Sequence, residues 1–85
     1  MSETMKELME FPVIYTFKAM GTNDRKFVND IKRVFDSKTI DSLIEKPSSK
    51  GTYISVSVTT EVADYEELQQ IYMSIKNVAG LKYHL

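Results

Sequence analysis

Residues 53–62, YISVSVTTEV, have the clearest pattern in this chain, because aliphatic residues and one threonine alternate strictly with mostly polar residues. Successive side chains of a β-strand point to opposite faces, so this alternation predicts a strand, β3, with one face in a core. The face predicted to be buried carries Ile54, Val56, Val58, Thr60 and Val62. The residues between them are mostly polar and are expected to face away from the core, which makes β3 a central strand.

A second strand and a helix are predicted before β3. Residues 13–20, VIYTFKAM, are rich in β-branched and aromatic types and predict β1, which Gly21 is expected to end. Its inward face is predicted to carry Val13, Tyr15, Phe17 and Ala19. A helix, α1, follows, with Thr22 or Asn23 as its cap. Its apolar stripe comprises Phe27, Val28, Ile31, Val34 and Phe35.

The remaining elements have weaker signals. Residues 37–46 are poorly patterned and are interpreted as a short edge strand, β2. Asp64 and Glu67 resemble a capping box at the start of a second helix, α2, which is expected to run to about Asn77. After Gly80, residues 81–85 are long enough for a final edge strand, β4.

The order β-α-β-β-α-β predicts an α+β fold, the ferredoxin-like sandwich, with a four-stranded antiparallel sheet and two helices on one face. We expect residues 1–10 to form an N-terminal extension that could be flexible, and residues 11–85 to form a single domain. The opposite sheet face is then open to water or to a partner. It is polar, with Ile14 and Met20 near its ends.

The amino-acid composition excludes several kinds of catalytic and metal-binding site. The chain has 85 residues, no cysteine, one histidine and a formal net charge of -1. No disulfide, thiolate metal site or cysteine nucleophile is therefore available, and no other nucleophile has a base beside it. The start of the chain lacks the pattern of a signal peptide, and no stretch is apolar enough to span a membrane. We expect a non-enzymatic cytoplasmic protein without metal or cofactor.

The stretch KPSSKG, residues 46–51, allows two interpretations. Its Pro, Ser and Gly residues between two predicted strands favour a hairpin turn, while Lys46 or Lys50 could instead contact an anion. It lacks the spacing of a phosphate-binding loop and leads into a strand rather than a helix. Lys50 and Gly51 also match the start of an RNA-recognition motif, but the stacking aromatics of that motif are missing.

The loop MGTND, residues 20–24, is a second candidate site. Backbone N–H groups at the start of α1 could receive a carboxylate or phosphate at Gly21, Thr22, Asn23 and Asp24. The alternative is that these residues only form the turn and cap the helix. Asp24 opposes anion binding, because its carboxylate already offsets the positive field of the helix terminus.

Three stretches carry a resemblance to a known family. The segments LMEFP (8–12), TFKAMG (16–21) and KPSSKGTYISVSV (46–58) resemble the signature of the YbeD-like family of small bacterial proteins. The resemblance implies a ferredoxin-like fold similar to the ACT-type regulatory domains that bind small effectors. It supplies no catalytic residues.

We therefore expect a regulatory or small-ligand-binding module of the ACT-like kind. The alternatives are a protein-interaction adaptor that uses the open sheet face and, third, a nucleic-acid binder. The expected partner is a protein or a small anionic effector; a homodimer is compatible with the sequence, and a membrane is not expected. The candidate interaction surface is Lys18, Lys46, Ser48, Ser49, Lys50, Tyr53, Ser55 and Ser57.

Overall fold

The protein folds as a four-stranded antiparallel sheet covered on one face by two helices. A computed structural model describes residues 10–84. The elements are β1 (Val13–Thr22), α1 (Arg25–Val34), β2 (Ile40–Pro47), β3 (Tyr53–Val62), α2 (Tyr65–Lys76) and β4 (Leu81–His84). The sheet order is β2-β3-β1-β4. The predicted ferredoxin-like β-α-β-β-α-β sandwich is confirmed, while the predicted extension falls mostly on residues 1–9, outside the described residues.

The core lies between the sheet and the helices. The alternation of β3 is confirmed, because Val56, Val58 and Val62 are fully buried. The helices contribute apolar side chains, with Phe27 and Ile31 from the predicted stripe of α1 and Leu68 of α2 each 1% exposed. Each helix therefore buries one stripe against the apolar face of the sheet.

Strand β1 is longer than predicted. Gly21 does not end it, because the strand continues to Thr22 and pairs along its whole length with β3. The glycine is needed for close packing, since a Cβ atom there would lie 2.6 Å from the carbonyl oxygen of Gly80 and against the Phe27 ring. The short strand β4 covers only the end of β1, from Ala19 to Gly21.

The helix caps differ in part from the predictions. Asp24, rather than Thr22 or Asn23, caps α1, with its carboxylate accepting from the Phe27 N–H at 2.8 Å. The Asp64 cap of α2 is confirmed, since its carboxylate accepts from the Glu67 N–H at 2.8 Å. The Glu67 side chain, however, bonds the Ala63 N–H rather than that of Asp64, so the capping box is one residue out of register.

Candidate functional site

The open sheet face forms a trough along β3. In one row across the sheet, Lys46 of β2 lies opposite Ser55 of β3, which lies opposite Met20 of β1. In the next row, Ile44, Ser57 and Lys18 are aligned in the same way. Directly opposed residues of antiparallel strands share a face. The middle strand therefore presents small serines between longer side chains on both sides, which leaves a depression.

The β2–β3 hairpin closes one end of this trough. Gly51, at φ +75°, permits the tight reversal, and its N–H donates to the Ser48 carbonyl at 2.9 Å. The Ser48 N–H donates to the Tyr53 carbonyl at 2.8 Å, and its hydroxyl accepts from the Tyr53 N–H at 3.1 Å. Ser48 thus joins both arms of the turn. The hairpin interpretation of residues 46–51 is confirmed.

The trough and the hairpin together enclose a cavity of about 260 Å³, which we call the hairpin cavity. Its lining residues are Lys18, Met20, Lys46, Pro47, Ser48, Ser49, Tyr53 and Ser55. The structure thus brings together all of the candidate interaction surface except Lys50 and Ser57. Binding at this surface remains a prediction.

The hairpin cavity carries positive charge that no carboxylate of its lining compensates. Its lining contains two lysines and no carboxylate. The ion pairs within residues 10–84 involve other basic side chains, and none reaches Lys18 or Lys46. On the helix side of β2, by contrast, Glu45 accepts from both Arg25 and Lys32. Positive charge therefore collects at the hairpin cavity, although the chain as a whole carries a net charge of -1.

The MGTND loop lacks the free amides on which its prediction depended. The Thr22 N–H donates to the Gly80 carbonyl at 3.1 Å, and the Asn23 N–H to the Thr52 carbonyl at 3.2 Å. The Asp24 N–H donates to the Thr22 carbonyl at 2.9 Å. The buried Gly21 is packed against the Phe27 ring. These contacts disfavour an anion at this loop, and ligand binding there remains a prediction.

Two exposed apolar residues of the open face were missed. Ile44 is 59% exposed, and Tyr83 lies opposite Met20 with 48% of its surface exposed. Ile44 was ambiguous because its neighbour Leu43 is also apolar, and only the pairing with β3 assigns Leu43 to the core side. Tyr83 lies on a strand too short for alternation to assign its face.

A separate polar contact lies on the helix side. The hydroxyls of Tyr15 and Tyr72 are 2.6 Å apart, and burial together with this hydrogen bond raises the pKa of Tyr72. The His84 ring lies beside Tyr72 at a tilt of 43°, with ring centroids 5.4 Å apart.

Within residues 10–84, no group of three or more His, Cys, Asp or Glu side chains could hold a metal ion. None of the helices described there is long and apolar enough to cross a membrane.

Comparison with known proteins identifies relatives along nearly the whole chain. A family model described as "Protein of unknown function (DUF493)" matches residues 6–85. A UPF0250 protein of Haemophilus influenzae is 38% identical over 80 residues, covering 92% of this chain and 87% of the relative. A UPF0250 protein of Erwinia tasmaniensis is 34% identical, with 92% of each chain covered.

Solved structures share the fold at low sequence identity. The ACT domain from GTP pyrophosphokinase of Chlorobium tepidum superposes with a TM-score of 0.70 at 15% identity, covering 85% of this chain and 94% of that domain. Protein HP0495 from H. pylori superposes with a TM-score of 0.73 at 18% identity, covering 100% and 93% of the two chains. The resemblance to the YbeD-like family and to ACT-type domains is thereby confirmed.

Proposed function

The chain belongs to the DUF493 family, and from this membership and its ACT-like fold we propose that it is a non-enzymatic regulatory module that acts by binding. The open sheet face with its hairpin is the proposed binding surface. Relatives in bacteria and the absence of a spanning helix within residues 10–84 are compatible with a place in the bacterial cytoplasm.

The observation that carries this proposal is the hairpin cavity. Ligand sites are concave and combine apolar walls with a few convergent polar groups. The cavity has both, with Met20, Pro47 and Tyr53 as apolar wall and the lysines and serines as polar groups. The MGTND loop, by comparison, has its amides already bonded to carbonyls. We therefore place an effector at the open face rather than at the start of α1.

A protein-interaction adaptor is the second candidate, and exposed apolar side chains favour it. Ile14 and Ile44 are each 59% exposed on the open face, where Tyr83 also lies. Buried aromatic and aliphatic anchors dominate the energy of protein interfaces. Nucleic acid ranks third, because the net charge of -1 offers no broad attraction to phosphate backbones.

A retention experiment tests the binding role and separates the two candidates. The full chain is immobilised and exposed to a bacterial extract, and retained metabolites and proteins are identified by mass spectrometry. Ser55→Tyr fills the hairpin cavity without adding charge, while Gln70→Tyr places the same side chain on the exposed surface of α2 as a control. Circular dichroism checks that both variants fold.

We expect Ser55→Tyr, but not Gln70→Tyr, to lose the retained molecule. A retained metabolite supports the effector role, and a retained protein without one supports the adaptor. Retention that survives Ser55→Tyr would contradict the open face as the binding surface. A catalytic turnover that persists through purification and disappears with one substitution would contradict the non-enzymatic assignment.

A further inference from the structure

Resting on the proposed function, we infer that the hairpin cavity is a site for a small molecule that carries a phosphoryl group, held between Lys18 and Lys46. These two lysines extend from β1 and β2, the strands on either side of β3. Their backbones are separated by two strand spacings across the sheet and by two residues along it, or about 12 Å in all. Two long side chains can therefore approach one group above the serines of the middle strand.

The charges of the cavity match a divalent anion. No carboxylate lines it, and within residues 10–84 none is within ion-pair distance of either lysine. A single carboxylate would compensate only one of the two positive charges. A phosphate monoester carries close to two negative charges at neutral pH and presents three acceptor oxygens.

The uncharged hydrogen-bond donors of the cavity also fit a phosphoryl group. The hydroxyls of Ser49, Ser55 and Tyr53 are available in the lining, and each can donate one hydrogen bond. Ser48 is already used, since its hydroxyl accepts from the Tyr53 N–H and holds the turn. The cavity thus offers both ammonium groups and hydroxyls to the oxygens of one phosphoryl group.

The size and the apolar wall of the cavity restrict the rest of the ligand. A volume of about 260 Å³ lies just below the usual range of ligand sites, which begins at about 300 Å³, so only a small ligand fits. The side chains of Met20, Pro47 and Tyr53 provide apolar contact for a compact organic group. The structure therefore favours a small phosphate monoester over a nucleic acid strand, because the lining holds only two lysines to pair with phosphates.

The test is an NMR titration of the full-length, ¹⁵N-labelled chain at constant ionic strength. Phenyl phosphate is the probe, benzoate is the carboxylate of matched ring size, and inorganic phosphate tests the phosphoryl group alone. The variant K18Q/K46Q removes both lysines from the cavity. The control K76Q/K82Q removes the same total charge from exposed lysines outside the lining and outside the hairpin, and spectra of the free variants confirm that they fold.

We expect phenyl phosphate to produce saturable shifts at the amides of Ser49, Tyr53 and Ser55. K18Q/K46Q should weaken binding by about tenfold or more, as expected for the loss of two charged hydrogen bonds. The control should change it by less than about threefold, because exposed charges outside the cavity are screened.

Three results would overturn the inference. They are shifts that do not saturate, equal weakening in both double variants, and benzoate binding as tightly as phenyl phosphate. The retention experiment on Ser55→Tyr distinguishes these failures from failure of the proposed function. If Ser55→Tyr still abolishes retention, the open face remains the binding surface and only the phosphoryl assignment is lost.

Discussion

Of the three glycines, Gly21 has the least room for a side chain. A Cβ atom at this position would lie 2.6 Å from the Gly80 carbonyl oxygen and in contact with the ring of Phe27, which is 1% exposed. Neither the backbone nor a buried ring can move away easily. We predict that Gly21→Ala destabilises the protein by about 1–3 kcal/mol, as overpacking does in other cores, which chemical denaturation would measure.

Gly51→Ala is the matched control for this prediction. A Cβ atom at Gly51 would meet no other atom within 4 Å, and its only cost arises from the positive φ of +75°. We expect a loss of about 1 kcal/mol from that backbone conformation. If Gly21→Ala were no more destabilising than Gly51→Ala, the close approach of β1, α1 and Gly80 would be contradicted.

Glu67 links stability to pH. Hydrogen bonds from the Ala63 N–H and the Lys38 ammonium, which lies 2.9 Å away, lower the pKa of its carboxyl group. A lowered pKa in the folded state means that the stabilisation is complete above the unfolded pKa of about 4.3. It is then lost as the pH falls through the folded pKa.

We predict that Glu67→Gln lowers stability at pH 7 by about 1 kcal/mol, because an amide replaces a charged acceptor. The same substitution should flatten the fall of stability below about pH 4. Unfolding by urea at a series of pH values measures both effects. Glu66→Gln, on the exposed side of the same helical turn, should leave the profile almost unchanged. If the stability of Glu67→Gln fell below about pH 4 as steeply as that of the unsubstituted protein, the proposed role of the Glu67 carboxylate would be contradicted.

Among the secondary-structure elements, α1 shows that tertiary contacts determine which of several suitable residues becomes the N-cap of a helix. Thr22, Asn23 and Asp24 are all good N-cap residues, so local sequence could not separate them. Thr22 is part of β1, and the Asn23 side chain donates to the Gly51 carbonyl at 2.9 Å, which leaves Asp24 to cap the helix. The deciding partner is 28 residues away along the chain.

We predict that Asp24→Ala destabilises the protein by about 1 kcal/mol, within the usual range for loss of an N-cap. Thr22→Ala should cost less, because its backbone pairing does not depend on the side chain. Thermal unfolding of the two variants gives the comparison. A larger loss for Thr22→Ala would restore the predicted cap and contradict the observed one.

Strands were predictable where their two faces differ in chemistry. Residues 53–62 alternate, so both the strand and its buried face followed from the sequence. In β2 the adjacent Leu43 and Ile44 hide the period, and only pairing with β3 assigns their faces. The candidate site shows the same division. Lys18, Met20 and Tyr53 were assigned to the open face by alternation, but Ile44 and Tyr83 needed the register between strands.

At the scale of the whole molecule, one core joins the two β-α-β halves. Phe17 of the first half packs against Phe35 and against Tyr72 of the second half, with ring centroids 5.5 and 5.1 Å apart. β1 and β3 pair along ten residues and belong to different halves. Neither half can therefore bury its apolar face alone, which indicates that the domain unfolds as one unit.

We predict that Leu68→Ala, far from the open face, lowers the midpoint of a single unfolding transition by about 10 °C or more. Leu68 is 1% exposed, and removing a buried leucine side chain costs about 2–5 kcal/mol. In a domain of this size each kcal/mol shifts the midpoint by about 4–8 °C. Met73→Ala, on the same helix but at a position 65% exposed, is the control and should change the midpoint by only a few degrees.

Far-ultraviolet circular dichroism and tyrosine fluorescence should report the same midpoint for each variant. Midpoints that separate in Leu68→Ala would show that the halves unfold independently, and the shared core would then not be the source of cooperativity.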